Sequence, residues 1–127
     1  MTETNCIVHT NDWGTYTEDI IILEYGLAVC QLSFPGKDDP PYQRKRAWLH
    51  DLSVLPEVRG HGLATRLIEI CKQRTLAAGR RMLSLWVKPG SWQEQWYIRL
   101  GFVRDEYFER DDGNNVYNLM LDSEQTK

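Results

Sequence analysis

Two spacings of apolar residues alternate along this chain, and the breaks between them divide it into elements. Residues 19–24 and 27–34 are rich in strand-forming residues and are separated by Tyr25-Gly26, which predicts a hairpin. Residues 20–23 are apolar at every position, as in a strand covered on both faces. Residues 35–46 hold Gly36, the Pro40-Pro41 pair and most of the local charge, and read as a loop. Strand character resumes over 47–55. The period then changes: Leu63, Leu67, Ile70 and Cys71 follow helical spacing, flanked by Ala64, Ile68 and Thr75, which predicts a helix over 62–78. Gly79 fits its C-terminal stop, and Arg74, Arg80 and Arg81 lie near the negative end of its dipole.

Residues 82–87 form a further predicted strand, broken by Pro89-Gly90. Ser91 then suits an N-cap, with Glu94 three residues on in a capping-box arrangement, and a short helix runs to Leu100 and stops at Gly101. Residues 102–109 and 116–121 make a second hairpin across the turn-rich run 111–115, and 122–127 reads as a frayed tail. The order β-β-β-α-β-α-β-β predicts an α/β fold, a sheet with helices packed on it. At 127 residues the length fits one domain, spanning 1–127.

The densest chemistry lies where the third strand meets the first long helix: Val54-Leu55-Pro56-Glu57-Val58-Arg59-Gly60-His61-Gly62-Leu63-Ala64. Glycines let a backbone approach a ligand closely, and the first N–H groups of a helix lack intrahelical partners. Those groups and the positive end of the helix dipole favour an anion such as a pyrophosphate, to which Arg59 can add a charge-assisted hydrogen bond. A dinucleotide fingerprint would need a third glycine where Thr65 stands, and no P-loop run occurs. Without function, the same glycines are an ordinary turn at a helix start, but the preceding Val-x-Pro-Glu-x-Arg context argues against that.

Composition adds limits. A mild acidic balance, net −3, gives no support to nucleic-acid binding. Arg44-Lys45-Arg46 reads as a solvated connection, or alternatively as a basic lip near a phosphate-bearing cofactor. Cys6, Cys30 and Cys71 lack Cys-x-x-Cys spacing, which argues against a disulfide framework or a metal site and suits a cytoplasmic location. Cys30 and Cys71 fall in apolar patterns and read as small buried hydrophobes. No apolar run is long enough for a membrane span, and the start lacks the pattern of a secretion signal.

The stretch Arg59-Gly60-His61-Gly62-Leu63-Ala64 resembles the acyl-CoA-binding motif Gln/Arg-x-x-Gly-x-Gly/Ala of the GNAT superfamily of N-acyltransferases, as a full match. Trp96-Tyr97-Ile98-Arg99-Leu100-Gly101-Phe102 resembles a second landmark, Leu-Tyr-x-x-x-Gly-Phe, and the element order of residues 19–121 is that of the family. The resemblance implies a GNAT-like mixed, mostly antiparallel sheet with helices packed on it. It also implies transfer of an acetyl group from acetyl-CoA to a small-molecule or peptide amine. Backbone groups of Leu52, Ser53 and Val54 and the loop residues Arg59, Gly60, His61, Gly62, Leu63, Ala64 and Thr65 would hold the donor. Tyr97 matches the family tyrosine assigned as general acid toward the sulfur.

For the general base, Asp51 is the first choice over His50 and Glu24. Strand alternation sets His50 and Asp51 on opposite faces. Trp92 and Trp96 read as packing residues, or as aromatic faces for a cationic acceptor. His9 reads as an ordinary surface residue. Two departures stand out: Gly90 occupies the place of a family Asn, and Gln93 that of a small Ala. The family also places a strand and two helices before the first hairpin. Residues 5–9 can supply the strand, but two helices do not fit, so the acceptor side is either open to a large substrate or completed by a second subunit, a homodimer. The other reading of these departures is a catalytically reduced CoA-binding domain acting as a regulatory or interaction module.

Overall fold

The computed structural model describes residues 5–108 and 110–121. Seven strands form one sheet in the order β1-β2-β3-β4-β5-β7-β6. They are β1 (Cys6–Asp12), β2 (Tyr16–Leu23), β3 (Ala28–Pro35), β4 (Arg46–Val54), β5 (Met82–Val87), β6 (Val103–Arg104) and β7 (Asn115–Met120). A single-turn helix α1 (Pro41–Arg44) precedes β4, α2 (Leu63–Ala77) joins β4 to β5, and α3 (Trp92–Arg99) follows β5. Only β4 and β5 run parallel, as the helical crossover between them requires; all other pairs are antiparallel. This is the mixed, mostly antiparallel sheet expected from the sequence.

Alternation along the strands builds the core. Ile21 and Leu23 of β2, Cys30 and Leu32 of β3, Ala47 and Leu49 of β4, and Leu83 and Leu85 of β5 are all buried. They cluster with Leu67, Ile68 and Cys71 of α2 and with Tyr97 of α3. Each such leucine or isoleucine contributes about 1.5–3 kcal/mol through burial. Asp19 is the polar exception on this face. It lies 2.5 Å from Arg74 Nε of α2 and also accepts from Thr10 Oγ1 at 2.7 Å, so its buried charge is paired and hydrogen-bonded. Arg80 ties the end of the helix to the sheet, donating to the carbonyls of Arg46 (3.0 Å) and Pro35 (2.7 Å).

The alternation breaks once. β3 pairs with β4 as Gln31 with His50 but as Val29 with Ser53, so one residue of β3 faces both Asp51 and Leu52. This is a β-bulge, with Asp51 at φ +55. His50 and Asp51 therefore do not simply occupy alternate faces of a regular strand. Beyond the bulge β4 also leaves β5: their last partners are Leu49 and Leu85, while β4 continues to Val54. A crevice opens between the two strands.

Several boundaries differ from the sequence pattern. The first strand runs to Asp12 rather than His9, and a tight turn joins it to β2, with Trp13 N–H donating to the Tyr16 carbonyl at 2.9 Å. No helix stands between them. The expected 102–109 strand shrinks to Val103–Arg104, because Asp105 turns its carboxylate to the Tyr107 N–H and the Asn118 side chain. Glu109 and the tail from Asp122 lie outside the described residues.

Arg46 is not a solvated lysine-like neighbour of Lys45: it is 5% exposed, beneath Trp48 and Phe108. Burial lowers its pKa. Nor is 44–46 a lip on the glycine loop, since it stands at the start of β4 and the loop follows the end of that strand.

Candidate functional site

The glycine loop takes the geometry that its glycines permit. Gly60 and Gly62 hold φ values of +88° and +81°, where a side chain is strained, and a Cβ on either would meet nothing within 4 Å. The open space at both positions leaves room for a ligand to approach the backbone. Gly62 is the N-cap of α2, and the first helical bond is from Arg66 N–H to the Gly62 carbonyl at 3.0 Å. The N–H groups of Leu63, Ala64 and Thr65 thus precede the hydrogen-bonded ladder and face outward at the positive end of a 15-residue helix. These features fit a pyrophosphate-bearing group.

A cleft of about 540 Å³ lies against this helix start. One wall is Leu52, Ser53 and Val54 of β4; the floor is Val58, Arg59, Gly60, Gly62, Leu63, Ala64 and Thr65; the other wall is Trp92, Gln93, Trp96 and Tyr97 of α3. Nine of the residues expected from sequence at the donor site therefore meet around one cavity, together with Tyr97. His61 lies on the exposed loop outside the cavity lining, and Asp51 lies on the bulge beside it.

The backbone of β4 divides its groups between two neighbours. Leu55 N–H donates to the Leu27 carbonyl at 2.9 Å, so by antiparallel alternation Ser53 also turns toward β3. The N–H and C=O groups of Leu52 and Val54 consequently face the crevice. Arg59 Nε already uses the Val54 carbonyl, at 3.1 Å, which folds the guanidinium along the cleft edge.

Tyr97 is packed between Trp96 (centroids 5.0 Å) and Phe102 (5.5 Å, edge-on) and is 8% exposed. Burial, with smaller contributions from the nearby Cys30 and Cys71 thiols, pushes its phenol up to about 12. It is a neutral hydrogen-bond donor throughout the physiological range. Cys30 and Cys71 themselves meet at 3.6 Å between sulfurs, both buried as expected. The hydrogen bond with Cys30 and burial push the Cys71 thiol well up, so its sulfur lacks the thiolate character of a nucleophile.

What holds α3 in place was only half visible in the sequence. Ser91 caps the helix through Glu94 N–H (3.2 Å), as the spacing predicted. The Glu94 carboxylate reaches Gly90 N–H (3.0 Å), Asn115 Nδ2 (2.9 Å) and the Tyr117 hydroxyl (2.9 Å). These bonds, led by the one from Gly90, hold its pKa below the usual carboxylate range. Val58 also lines the cleft, its one sequence signal being an apolar residue just before Arg59, and Gln93, noted in the sequence at the place of a small Ala, joins it from the short helix.

The other candidate bases are differently placed. Glu24 accepts from the Asn5 N–H at 2.9 Å and so fastens the start of β1. His50 shares a 2.7 Å hydrogen bond with Ser33 Oγ and lies 5.5 Å from the Trp86 ring, and partial burial lowers its pKa. Trp48 and Trp86 join this cluster on the sheet face opposite α2, their rings 5.6 Å apart, with the Arg110 guanidinium 4.1 Å above Trp86. Among the described residues there is no group of three or more His, Cys, Asp or Glu that can hold a metal ion, and no helix is long and apolar enough to cross a membrane.

The family model of the acetyltransferase (GNAT) domain matches residues 7–104, and the chain belongs to this family. Solved structures agree on the fold. A protein of Klebsiella pneumoniae assigned as an acyl-CoA N-acyltransferase superposes with a TM-score of 0.66 at 13% identity, covering 88% of this chain and 77% of that one. The GNAT domain of S. lividans PAT gives 0.66 at 17% identity, covering 87% of this chain and 64% of that one. The PaiA N-acetyltransferase of Thermoplasma acidophilum, solved in complex with coenzyme A, gives 0.63 at 14%, covering 84% and 62%.

Proposed function

We propose that the protein is an N-acetyltransferase that moves an acetyl group from acetyl-CoA to a small-molecule or peptide amine. The observation that carries this reading is the convergence on one cleft of an anion-ready helix start, outward-facing β4 backbone and a buried, protonated Tyr97. Acetyl-CoA supplies the activated acyl group as a thioester. Gly60 and Gly62, on either side of His61, let the loop backbone approach the pyrophosphate, and the N–H groups of Leu63, Ala64 and Thr65 hydrogen-bond it. Arg59 adds a charge-assisted bond from the cleft edge. Leu52 and Val54 orient the pantetheine arm with main-chain groups, and a backbone donor aimed at the developing oxyanion can contribute ~3 kcal/mol to catalysis.

Tyr97, at the general-acid position, donates a hydrogen bond to the departing sulfur as the C–S bond breaks, and the thiolate takes its proton from solvent. A thiol of pKa about 8.5 is a fair leaving group, so this assistance is modest. Asp51, exposed on the bulge beside the crevice, receives the amine proton through water.

Calorimetric titration with acetyl-CoA, followed by an assay of released thiol over a panel of amines and peptides, tests the reading. Saturable one-to-one binding, weaker by about tenfold in Arg59→Ala, and turnover with at least one amine are expected. Absence of binding at millimolar acetyl-CoA overturns it. The direct β1–β2 turn, which leaves the acceptor side without a helix, favours a second reading as a CoA-binding module. Binding without turnover across the panel is its signature.

A further inference from the structure

The sheet has two edges of unlike character. β6 is two residues long, whereas β1 keeps seven residues in unbroken register with β2. The Asn5 carbonyl accepts from Glu24 N–H, and Trp13 N–H donates to the Tyr16 carbonyl, so the odd-numbered residues of β1 turn toward β2. Cys6, Val8, Thr10 and Asp12 therefore each direct an N–H and a C=O away from the sheet. Within Cys6–Asp12 there is no proline, lysine, arginine or bulge, and the one acidic residue, Asp12, stands at its end.

We propose that β1 pairs antiparallel with β1 of a second copy, about a dyad at His9, fusing the two sheets. The register follows from the outward groups. Pairing Val8 with Thr10 and Cys6 with Asp12 of the second copy is the symmetric arrangement that satisfies all four residues on both chains; dyads at Val8 or Thr10 leave some of them unpaired. Side chains fit the same register. Ile7 faces Asn11 of the second copy and Val8 faces Thr10, each pair occurring twice, while His9 faces its own copy once on the dyad.

Trp13 shares its sheet face with Ile7, since both pair with residues of β2 on that face. The register sets it diagonally across from Ile7 of the second copy, within reach of a large side chain. Trp13 is 59% exposed and Ile7 43% exposed in the single chain, so the pairing covers two apolar groups that are otherwise in water. Strand β1 is three places from β4, so the interface leaves each cleft open. It does not supply the second-subunit wall of the acceptor side that the sequence pattern raised. The inference rests on the sheet alone and is independent of the proposed activity.

Sedimentation velocity at concentrations up to ~100 μM and disulfide trapping test it together. Dyad-related residues at a non-hydrogen-bonded position have Cα atoms about 4.5 Å apart, inside the window for a disulfide. His9→Cys in a Cys6→Ser background should cross-link to itself on mild oxidation. Val8→Cys and Thr10→Cys in the same background should remain largely uncross-linked. Val8→Pro removes an outward N–H without touching the β2 ladder or the Thr10–Asp19 hydrogen bond, and should raise the dimer dissociation constant at least about tenfold, with the circular dichroism of the fold retained.

A wild-type monomer across the concentration range overturns the proposal. So does a dimer whose His9→Cys variant fails to cross-link, since that dimer uses another surface. If Val8→Pro fails to fold, the trapping result decides alone.

Discussion

Removing the Glu94 carboxylate tests how the cleft wall is held. In Glu94→Ala, three donors lose their acceptor: Gly90 N–H, Asn115 Nδ2 and the Tyr117 hydroxyl. Gly90 is exposed, and water can replace the carboxylate there at little cost. Tyr117 is 6% exposed, and its hydroxyl is left stranded, at about 1–3 kcal/mol. With the partial losses at Asn115 and Gly90, the total is ~3 kcal/mol, a large fraction of the ~5–15 kcal/mol that stabilises a typical protein. The expected fall in Tm is about 10 °C. Tyr117→Phe alone should cost about 1 kcal/mol, and the double variant should cost less than the sum of the two by a similar amount.

The pH dependence has a definite sign. The native carboxyl titrates below its unfolded value, so its stabilisation is fully present above the unfolded pKa of about 4.3 and is lost as pH falls through the lower native one. Chemical denaturation of wild type and Glu94→Ala at neutral pH and near pH 3 is the assay. The gap between them should narrow in acid. A neutral-pH gap below ~0.5 kcal/mol, or a gap unchanged at pH 3, refutes the network as the anchor of α3.

Further outcomes are expected for Tyr97, for two glycines and for the cysteines. Tyr97→Phe should leave acetyl-CoA binding intact and lower turnover about tenfold, by a constant factor between pH 6 and 9 because the phenol stays protonated there. Its raised native pKa stabilises the fold fully below about pH 10 and less as pH climbs toward about 12, so Tyr97→Phe should flatten alkaline unfolding. Gly62→Ala meets no clash and should cost only the left-handed strain of about 1–2 kcal/mol while weakening acetyl-CoA binding. In Gly36→Ala the new Cβ collides with the Thr15 carbonyl, so stability should fall further with the cleft unaltered; paired melts and titrations separate the two. Finally, brief iodoacetamide treatment of the native protein should add one label, at exposed Cys6, by mass spectrometry. Labelling of Cys30 or Cys71 before unfolding contradicts their packing.

The sequence by itself determined the order of elements from β2 to β7 except the single-turn α1, the amphipathic face of α2, the Ser91 cap and the glycine loop. Each of these depends on residues adjacent or one helical turn apart, so local spacing carries the information. Tertiary structure decided what depends on partners distant in the chain. The bulge at Asp51 arises in the pairing of β4 with β3, and no local pattern announced a non-glycine residue at φ +55. That bulge, with the parting of β4 from β5, divides the backbone groups of residues 52–54 between the ladder and the crevice. Arg46 reads as solvated beside Arg44 and Lys45, yet the rings of Trp48 and Phe108 bury it. Glu94 shows its capping role in sequence, but its acceptor role toward Asn115 and Tyr117 needed β7 to pair beside β5. Hydrophobic period fixes which face a residue turns inward, while the identity of its neighbour there is settled only when the strands pair.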